Sequence, residues 1–454
     1  VPSVSVVIPV YNAAGSLRSC LDHLSRSTCK DYECIVVDDG STDDSAGIAR
    51  RHGAKVVSTG GRCGPAHARN LGARQGAGDI LFFIDSDVLV HPDTLSRILA
   101  NFSRDSELDG VLGSYDDSPG APDFLSQYRN LMHCYVHQTG RRNASTFWSG
   151  CGAVRRTVFL EHNGFDESYG RPAVEDIELG YRLTGAGRKL ILDRRLLVKH
   201  LKRWDFWKVV KADILDRGVP WTELILRDQK LPNDLNVQVS QRLSVALVFL
   251  MLGISVLTVL RWRGSFLTPL FAIVFLLLGY YWVDSDGPRW SRTGLLCLAA
   301  TAIGLDMAEL LYPVMLGYIL LSLRHRYAFA TYSRRRLTGA LLGAYMAAAV
   351  IFVLHYLPGD YLVFGFFTAL AVLVALNFKF YLFLAAKRGR LFAASAVPFH
   401  LLYYFYSGLA FFAGLARHTL RRAVWGCASC HRGARVNRPR RQGCRRCRPE
   451  ARST

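Results

Sequence analysis

Charged side chains are scarce in this chain of 454 residues: Asp, Glu, Lys and Arg make up 20% of it, against 50% apolar residues. A soluble globular chain carries nearer a quarter charged. Disorder as the main state is excluded, because it needs low hydrophobicity. No collagen-like or heptad repeat occurs, which removes the fibrous classes. No G-x-G-x-x-G turn follows the first apolar run, whose exit reads Pro9-Val10-Tyr11-Asn12; that argues against a dinucleotide site. No Walker A sequence is present either, so a nucleotide bound here would depend on acidic residues. The eleven cysteines show no disulfide-framework spacing in the large N-terminal part, which reads as cytosolic with reduced thiols. Residues 1–10 lack the charged and apolar regions of a secretory leader.

What is present divides near residue 240. Before it, short apolar runs at Val4–Val10 and residues 34–38, 54–58 and 80–85 read as buried strands. Residues 16–27, 43–52 and 65–75 read as the helices between them, with Gly15, Gly40, Gly53, Gly64 and Gly78 at the joins. Alternating strands and helices predict a mostly parallel sheet covered on both faces, with ligands at the carboxyl ends of the strands. After residue 240 come long apolar stretches at 243–260, 265–283, 293–323, 337–357, 361–386 and 391–416. Each is long enough to cross ~30 Å of hydrocarbon. Six spans would put the basic residues of 324–336 and 387–390 on the side opposite the N-terminal domain, against the positive-inside tendency. One non-spanning segment within 243–323 moves both loops back but carries the tail across. Residues 201–226 mix Trp204, Phe206 and Trp207 with Lys202, Arg203, Lys208 and Lys211, as a helix in the headgroup layer would. The expected division is therefore residues 1–200 as an α/β catalytic domain, 201–241 as an interfacial segment, 242–416 as five or six membrane helices and 417–454 as a tail.

The net charge is +20, and the tail alone holds twelve Arg against one Glu. Its Cys427-x-x-Cys430 and Cys444-x-x-Cys447 pairs have zinc-ribbon spacing. The stretch between them is Arg-rich and nearly without apolar residues, so a solvated tail touching anionic lipid is the competing reading. Nucleic acid is not an expected partner.

Chemistry concentrates in acidic clusters. The second strand ends in Val37-Asp38-Asp39-Gly40-Ser41-Thr42-Asp43 and the fourth in Ile84-Asp85-Ser86-Asp87. Carboxylates gathered at one sheet edge repel unless a cation or donor groups compensate, and Mg²⁺ is often held by one or two of them plus substrate phosphates. A third site, Gly164-Phe165-Asp166-Glu167, precedes Glu175-Asp176-Ile177-Glu178-Leu179-Gly180-Tyr181-Arg182-Leu183. Ile177, Leu179 and Leu183 share one helical face, which places Glu175 and Asp176 at the helix start. There the helix dipole favours the ionised, proton-accepting form.

In this order and spacing the motifs resemble the family-2 glycosyltransferases of GT-A fold, over roughly residues 1–230. The resemblance implies an α/β nucleotide-sugar-binding domain, here followed by a multi-pass helical membrane region. It implies that Pro9, Tyr11 and Asp39, with Asp38 beside them, hold the nucleoside, and that Arg69 and Asp85 lie near the donor. Asp85 and Asp87 match the metal-binding pair, His200 a third metal ligand, and Asp176 the catalytic base. The implied cofactor is Mg²⁺ or Mn²⁺ and the implied donor a nucleotide sugar, with UDP preferred. Inverting transfer to a hydroxyl of a lipid-linked or other membrane acceptor follows, in a cell-membrane protein whose catalytic domain faces the cytoplasm. The family's polyprenyl-phosphate branch carries D-A-D-L-Q where this chain reads Asp85-Ser86-Asp87-Val88-Leu89, and the processive branch carries a Q-x-x-R-W that is missing here. A processive polysaccharide synthase remains the alternative. From another class, Asp306, Glu309 and Lys379 in apolar segments would suit a transporter with a degenerate catalytic domain.

Overall fold

The computed structural model describes residues 2–229, 237–262 and 359–430. The chain divides into two compact units, Val1–Ala246 with Ala375–Thr454, and Leu247–Val374.

In the first unit the chain alternates as expected: β1 Val4–Val10, α1 Ala14–Ser25, β2 Tyr32–Asp38, α2 Ser45–Arg51, β3 Lys55–Ser58, α3 Pro65–Gln75 and β4 Ile80–Ile84. There follow β5 Val88–Val90, α4 Thr94–Arg104, β6 Leu108–Tyr115, α5 Phe124–Thr139, β7 Cys151–Arg155, α6 Arg156–Glu161, α7 Glu175–Gly185 and β8 Lys189–His200. The eight strands form one sheet in the order β3-β2-β1-β4-β7-β6-β8-β5. Pairings of β1 with β2 and β4, β2 with β3, and β6 with β8 are parallel. Those of β7 with β4 and β6, and of β5 with β8, are antiparallel. Only β7 and β5 therefore run against the rest, so β1, β2, β4, β6 and β8 end at one edge. The sheet is mixed where a mostly parallel one was expected. The reversals come after residue 85, where the simple strand–helix alternation stops.

Period-two alternation fills both faces. Val4, Val6, Ile8 and Val10 of β1 pack with Leu17, Leu21 and Leu24 of α1 and Ile98 of α4. Val7 joins Leu81 and Phe83, with Ala68 of α3, Phe159 of α6 and Leu179 of α7, in a second core on the other face. Helix α3 opens with Pro65 after Gly64, whose φ is +98°.

Past β8 the chain forms one helical run: α8 Phe206–Lys211, a π-helical turn Ala212–Gly218 and α9 Val219–Asp228. Trp204, expected on the lipid-facing side, is buried under Lys202 and Arg129, while Trp207 is 75% exposed. Helix α9 docks on the sheet domain through Leu224, which packs with Val174 and Tyr181, and the Trp221 indole donates to Tyr181 Oη at 3.0 Å.

Four further helices are described: α10 Val239–Trp262, α11 Gly359–Leu376, α12 Phe378–Arg388 and α13 Arg390–Cys430. Val239–Thr258 and Arg390–Arg422 are long and apolar enough to cross a membrane, and Tyr361–Leu376 with Phe378–Arg388 qualifies as a broken pair. The second unit, Leu247–Val374, includes most of α10 and α11. The stretches expected at 265–283, 293–323 and 337–357 lie outside the described residues, with the basic loop at 324–336. So do Cys444 and Cys447, and the expected zinc ribbon has no support among the described residues.

Candidate active site

The sheet edge gathers the acidic motifs, and two adjacent residues of α3 stitch them together. Arg69 is 5% exposed. Its Nη2 donates to Asp85 Oδ1 at 2.7 Å and its Nη1 to Glu175 Oε1 at 2.9 Å. Asn70 Nδ2 donates to Phe165 O at 2.8 Å and to Glu167 Oε1 at 2.9 Å, while Phe165 N donates to Asn70 Oδ1 at 2.9 Å. Arg69 thus ties the end of β4 to the start of α7, and Asn70 anchors the segment leading into α7.

Asp176 sits at the N-terminus of α7, partly exposed. Its Oδ2 accepts from Ser149 N at 3.1 Å and Ser149 Oγ at 3.2 Å, and its Oδ1 from Ile177 N at 2.8 Å. Gly180 permits this approach: a Cβ there would come within 2.1 Å of Phe147 N. Burial first, then the neighbouring Glu175 charge, pushes the Asp176 carboxyl up to about 6, against the Ser149 amide and Arg69. The helix start alone was expected to favour ionisation; desolvation outweighs it. Glu175 itself is buried between Arg69 and the Ala173 amide.

Asp87 and His200 meet through strand pairing. Val88 lies opposite His200 in the β5–β8 ladder, and Leu201 N donates to Asp87 O at 2.9 Å. Asp87 Oδ2 then lies 3.6 Å from His200 Nε2. Burial alone would raise the Asp87 carboxyl, yet His200 and Lys202 hold it below its usual value. The Tyr115 ring stacks on the imidazole with centroids 4.3 Å apart and planes 9° from parallel. One carboxylate oxygen and one imidazole nitrogen converging at a strand edge fit a divalent ion that takes its remaining ligands from a diphosphate. Asp85, expected beside them, turns to Arg69 instead. Among the described residues no group of three or more His, Cys, Asp or Glu is arranged for a metal.

The expected nucleoside residues lie at the ends of β1 and β2. Pro9 pairs with Val37 and Val10 with Asp38. Asp38 Oδ1 accepts from Ser41 N at 3.0 Å. Asp39 is buried, and its carboxylate is occupied by its own surroundings. Oδ1 accepts from Cys63 N at 2.8 Å and Thr59 Oγ1 at 3.2 Å, and Oδ2 from Gly64 N at 2.9 Å. Tyr11 is exposed, with the Arg62 guanidinium 4.2 Å from its ring centroid. Arg62, Ser149 and Tyr115 are site residues that the sequence reading missed. Ser149 had one faint signal, the glycine-containing run Ser149-Gly150-Cys151-Gly152 that leads into β7.

Residues 5–162 match the family model for Glycosyl transferase family 2. The N-terminal part of this chain is a family-2 glycosyltransferase domain. It is 31% identical over 230 residues to validoxylamine A glucosyltransferase of Streptomyces hygroscopicus subsp. jinggangensis, covering 43% of this chain and 54% of that protein. It is 36% identical over 118 residues to a poly(ribitol-phosphate) beta-glucosyltransferase of Bacillus spizizenii, covering 24% of this chain and 18% of that one. The chain thus spans about half the length, or less, of these curated relatives. Among solved structures it is similar to the mannosyltransferase PcManGT of Pyrobaculum calidifontis, in complex with GDP-Man and Mn²⁺. That likeness has a TM-score of 0.37 and 19% identity, over 83% of this chain and 86% of that one. The acidic motifs at 38–43 and 85–87 fall inside the matched residues; the 164–167 and 175–183 motifs lie just beyond, and Asn70 and Arg69 connect them back.

Proposed function

We propose that this chain is an inverting, metal-dependent glycosyltransferase that moves a sugar from a nucleotide-sugar donor to a hydroxyl of a lipid-linked or other membrane-associated acceptor. The observation that carries the reading is Asp176: a partly exposed carboxyl raised to about 6 at the edge where the motifs meet. A base that titrates near the working pH is suited to take a proton from a poor nucleophile.

The acceptor oxygen attacks the anomeric carbon while the bond to the diphosphate oxygen breaks, and the hydroxyl proton passes to a carboxylate oxygen of Asp176. One displacement inverts the centre, with no covalent sugar intermediate. Ser149 holds the Asp176 carboxylate in place. Asp87 and His200 would hold Mg²⁺ or Mn²⁺, which when bound neutralises charge on the diphosphate leaving group. Tyr11 offers a ring face to the base, with Pro9, Asp38 and Asp39 shaping the wall behind it. Asp85 and Arg69 border the donor, and Arg69 acts as a positioning residue through Asp85 and Glu175. A UDP-sugar is the preferred donor. The long apolar helices support a membrane-associated acceptor, and the catalytic domain is read as lying on the cytoplasmic side.

The test is nucleotide release by the full chain in detergent, with membrane lipid extract and a panel of nucleotide sugars plus Mg²⁺ or Mn²⁺. Release from one donor that needs metal and lipid extract, and that falls about 10²–10⁴-fold in Asp176→Asn with donor affinity kept, is the expected result. Turnover surviving in Asp176→Asn would remove that residue as base. Asp87→Asn is expected to weaken donor binding only when the metal is present; unchanged metal dependence takes it out of the metal site.

A further inference from the structure

Helix α13 has the length and apolar composition of a membrane span, yet it is held to the catalytic unit from one end to the other. Just before it, at the end of α12, Arg388 Nε donates to Gln127 Oε1 at 2.7 Å and Lys387 Nζ lies 2.6 Å from Asp117 Oδ2. In its first turns, Phe392 and Phe399 pack on Phe124 of α5 with centroids 4.8 and 5.2 Å apart. Tyr406 Oη donates to Asp213 Oδ2 at 2.7 Å, and Asp213 is paired with Arg129 of α5. Ala410 meets Gly218 so closely that a Cβ on the glycine would lie 2.5 Å from the alanine methyl, and Gly414 lies against Thr222. At the far end Arg417 Nε is 3.1 Å from Glu223 Oε1 and Arg421 Nη1 is 3.4 Å from it.

The contacts of α13 itself run from Phe392 to Arg421, about 44 Å of helix at ~1.5 Å per residue. Their partners, α5, the π-helical turn and α9, belong to the catalytic unit and pack on its sheet domain. A helix that crosses ~30 Å of hydrocarbon touches a domain on one side at one end only. On a flank about a quarter turn round the helix from these contacts, Leu391, Leu409 and Leu420 are 82, 42 and 66% exposed, and at ~100° per residue they fall on one stripe. The neighbouring helical run adds exposed Trp207 and Leu215 with Lys208 and Lys211, and basic groups around an apolar face match anionic headgroups.

We propose that α13 lies in the plane of the membrane, with its Leu391–Leu409–Leu420 stripe in the headgroup and acyl boundary, and does not cross. The polypeptide after it then stays on the catalytic side. This placement stands independently of the transferase chemistry.

The test uses the full chain in liposomes containing phosphatidylglycerol. A genetically encoded nitroxide amino acid replaces Leu391, Leu409 or Leu420 one at a time, and depth is read from relaxation by oxygen against a water-soluble nickel complex. An in-plane helix gives three equal, shallow depths, within a few ångström. A crossing helix separates Leu391 from Leu409 by ~27 Å along its axis, so unequal depths overturn the proposal. Low contact with both relaxers would mean that protein, such as a second copy, covers the stripe, and would overturn it as well. As a check that needs no substitution within the chain, an epitope after Thr454 in sealed native vesicles should be cleaved by protease whenever the catalytic domain is. Opposite protection of the two overturns the placement.

Discussion

Glu175 and Asp176 are adjacent carboxylates with divergent surroundings. Glu175 is buried against Arg69, and Asp176 opens to the edge with its carboxyl at about 6. Environment separates the roles of two such groups wherever acid–base work is done. Since the base must be ionised, kcat/KM for nucleotide release should rise about tenfold per pH unit below 6 and level off above it. Glu175 charge raises Asp176 and Arg69 lowers it. Glu175→Gln removes the first influence and frees the second, so the acid limb of the profile should move to lower pH. A limb that stays in place would assign it to another group.

At the scale of elements, the segment 59–64 between β3 and α3 has no ladder of its own and is shaped by one side chain. Asp39 accepts from Thr59, Cys63 and Gly64, and that arrangement presents Arg62 to Tyr11. Hydrogen bonds to a charged acceptor contribute about 1.5–3 kcal/mol each, and leaving buried donors unmatched is costly. Asp39→Asn keeps the shape but turns an amide NH₂ toward backbone donors. It is expected to lower stability by about 1–3 kcal/mol, read as a lower melting temperature, and to weaken donor binding with little change in kcat. A lower kcat at unchanged donor affinity would contradict this positioning role.

For the whole molecule, one buried cluster decides how the C-terminal helix meets the catalytic domain. Arg129 of α5, Asp213 of the π-helical turn and Tyr406 of α13 come from three distant parts of the chain. π-turns often mark functional positions, and here the turn carries the side chain that the other two share. Removing one partner of a buried ion pair costs about 3–5 kcal/mol, whereas replacing both with apolar residues can be neutral. Asp213→Ala should therefore destabilise the full chain by that amount in detergent melting, and Arg129→Met with Asp213→Leu should recover most of the loss. No recovery would point to a specific need for the charges.

Much of this protein is written locally. Val4–Val10 and Pro65–Gln75 were legible with their boundaries, because apolar alternation and the Gly64-Pro65 start signal act on neighbouring residues. The helix carrying Glu175 and Asp176 forms where it was expected, but Leu179 and Leu183 face the sheet while Ile177 packs with Val174 and Tyr181 instead of sharing their face. Sheet order was not legible, since β7 enters between β4 and β6 through long-range packing that no short window records. Nor were the partners of the site: Arg69 and Glu175 lie 106 positions apart and meet only when α3 and α7 cover one face of the sheet. Composition marked α13 as apolar and long, which suits a span or a surface helix equally. Its course along the catalytic domain was decided by Gly218, Gly414 and the Asp213 cluster, contacts that exist only in three dimensions.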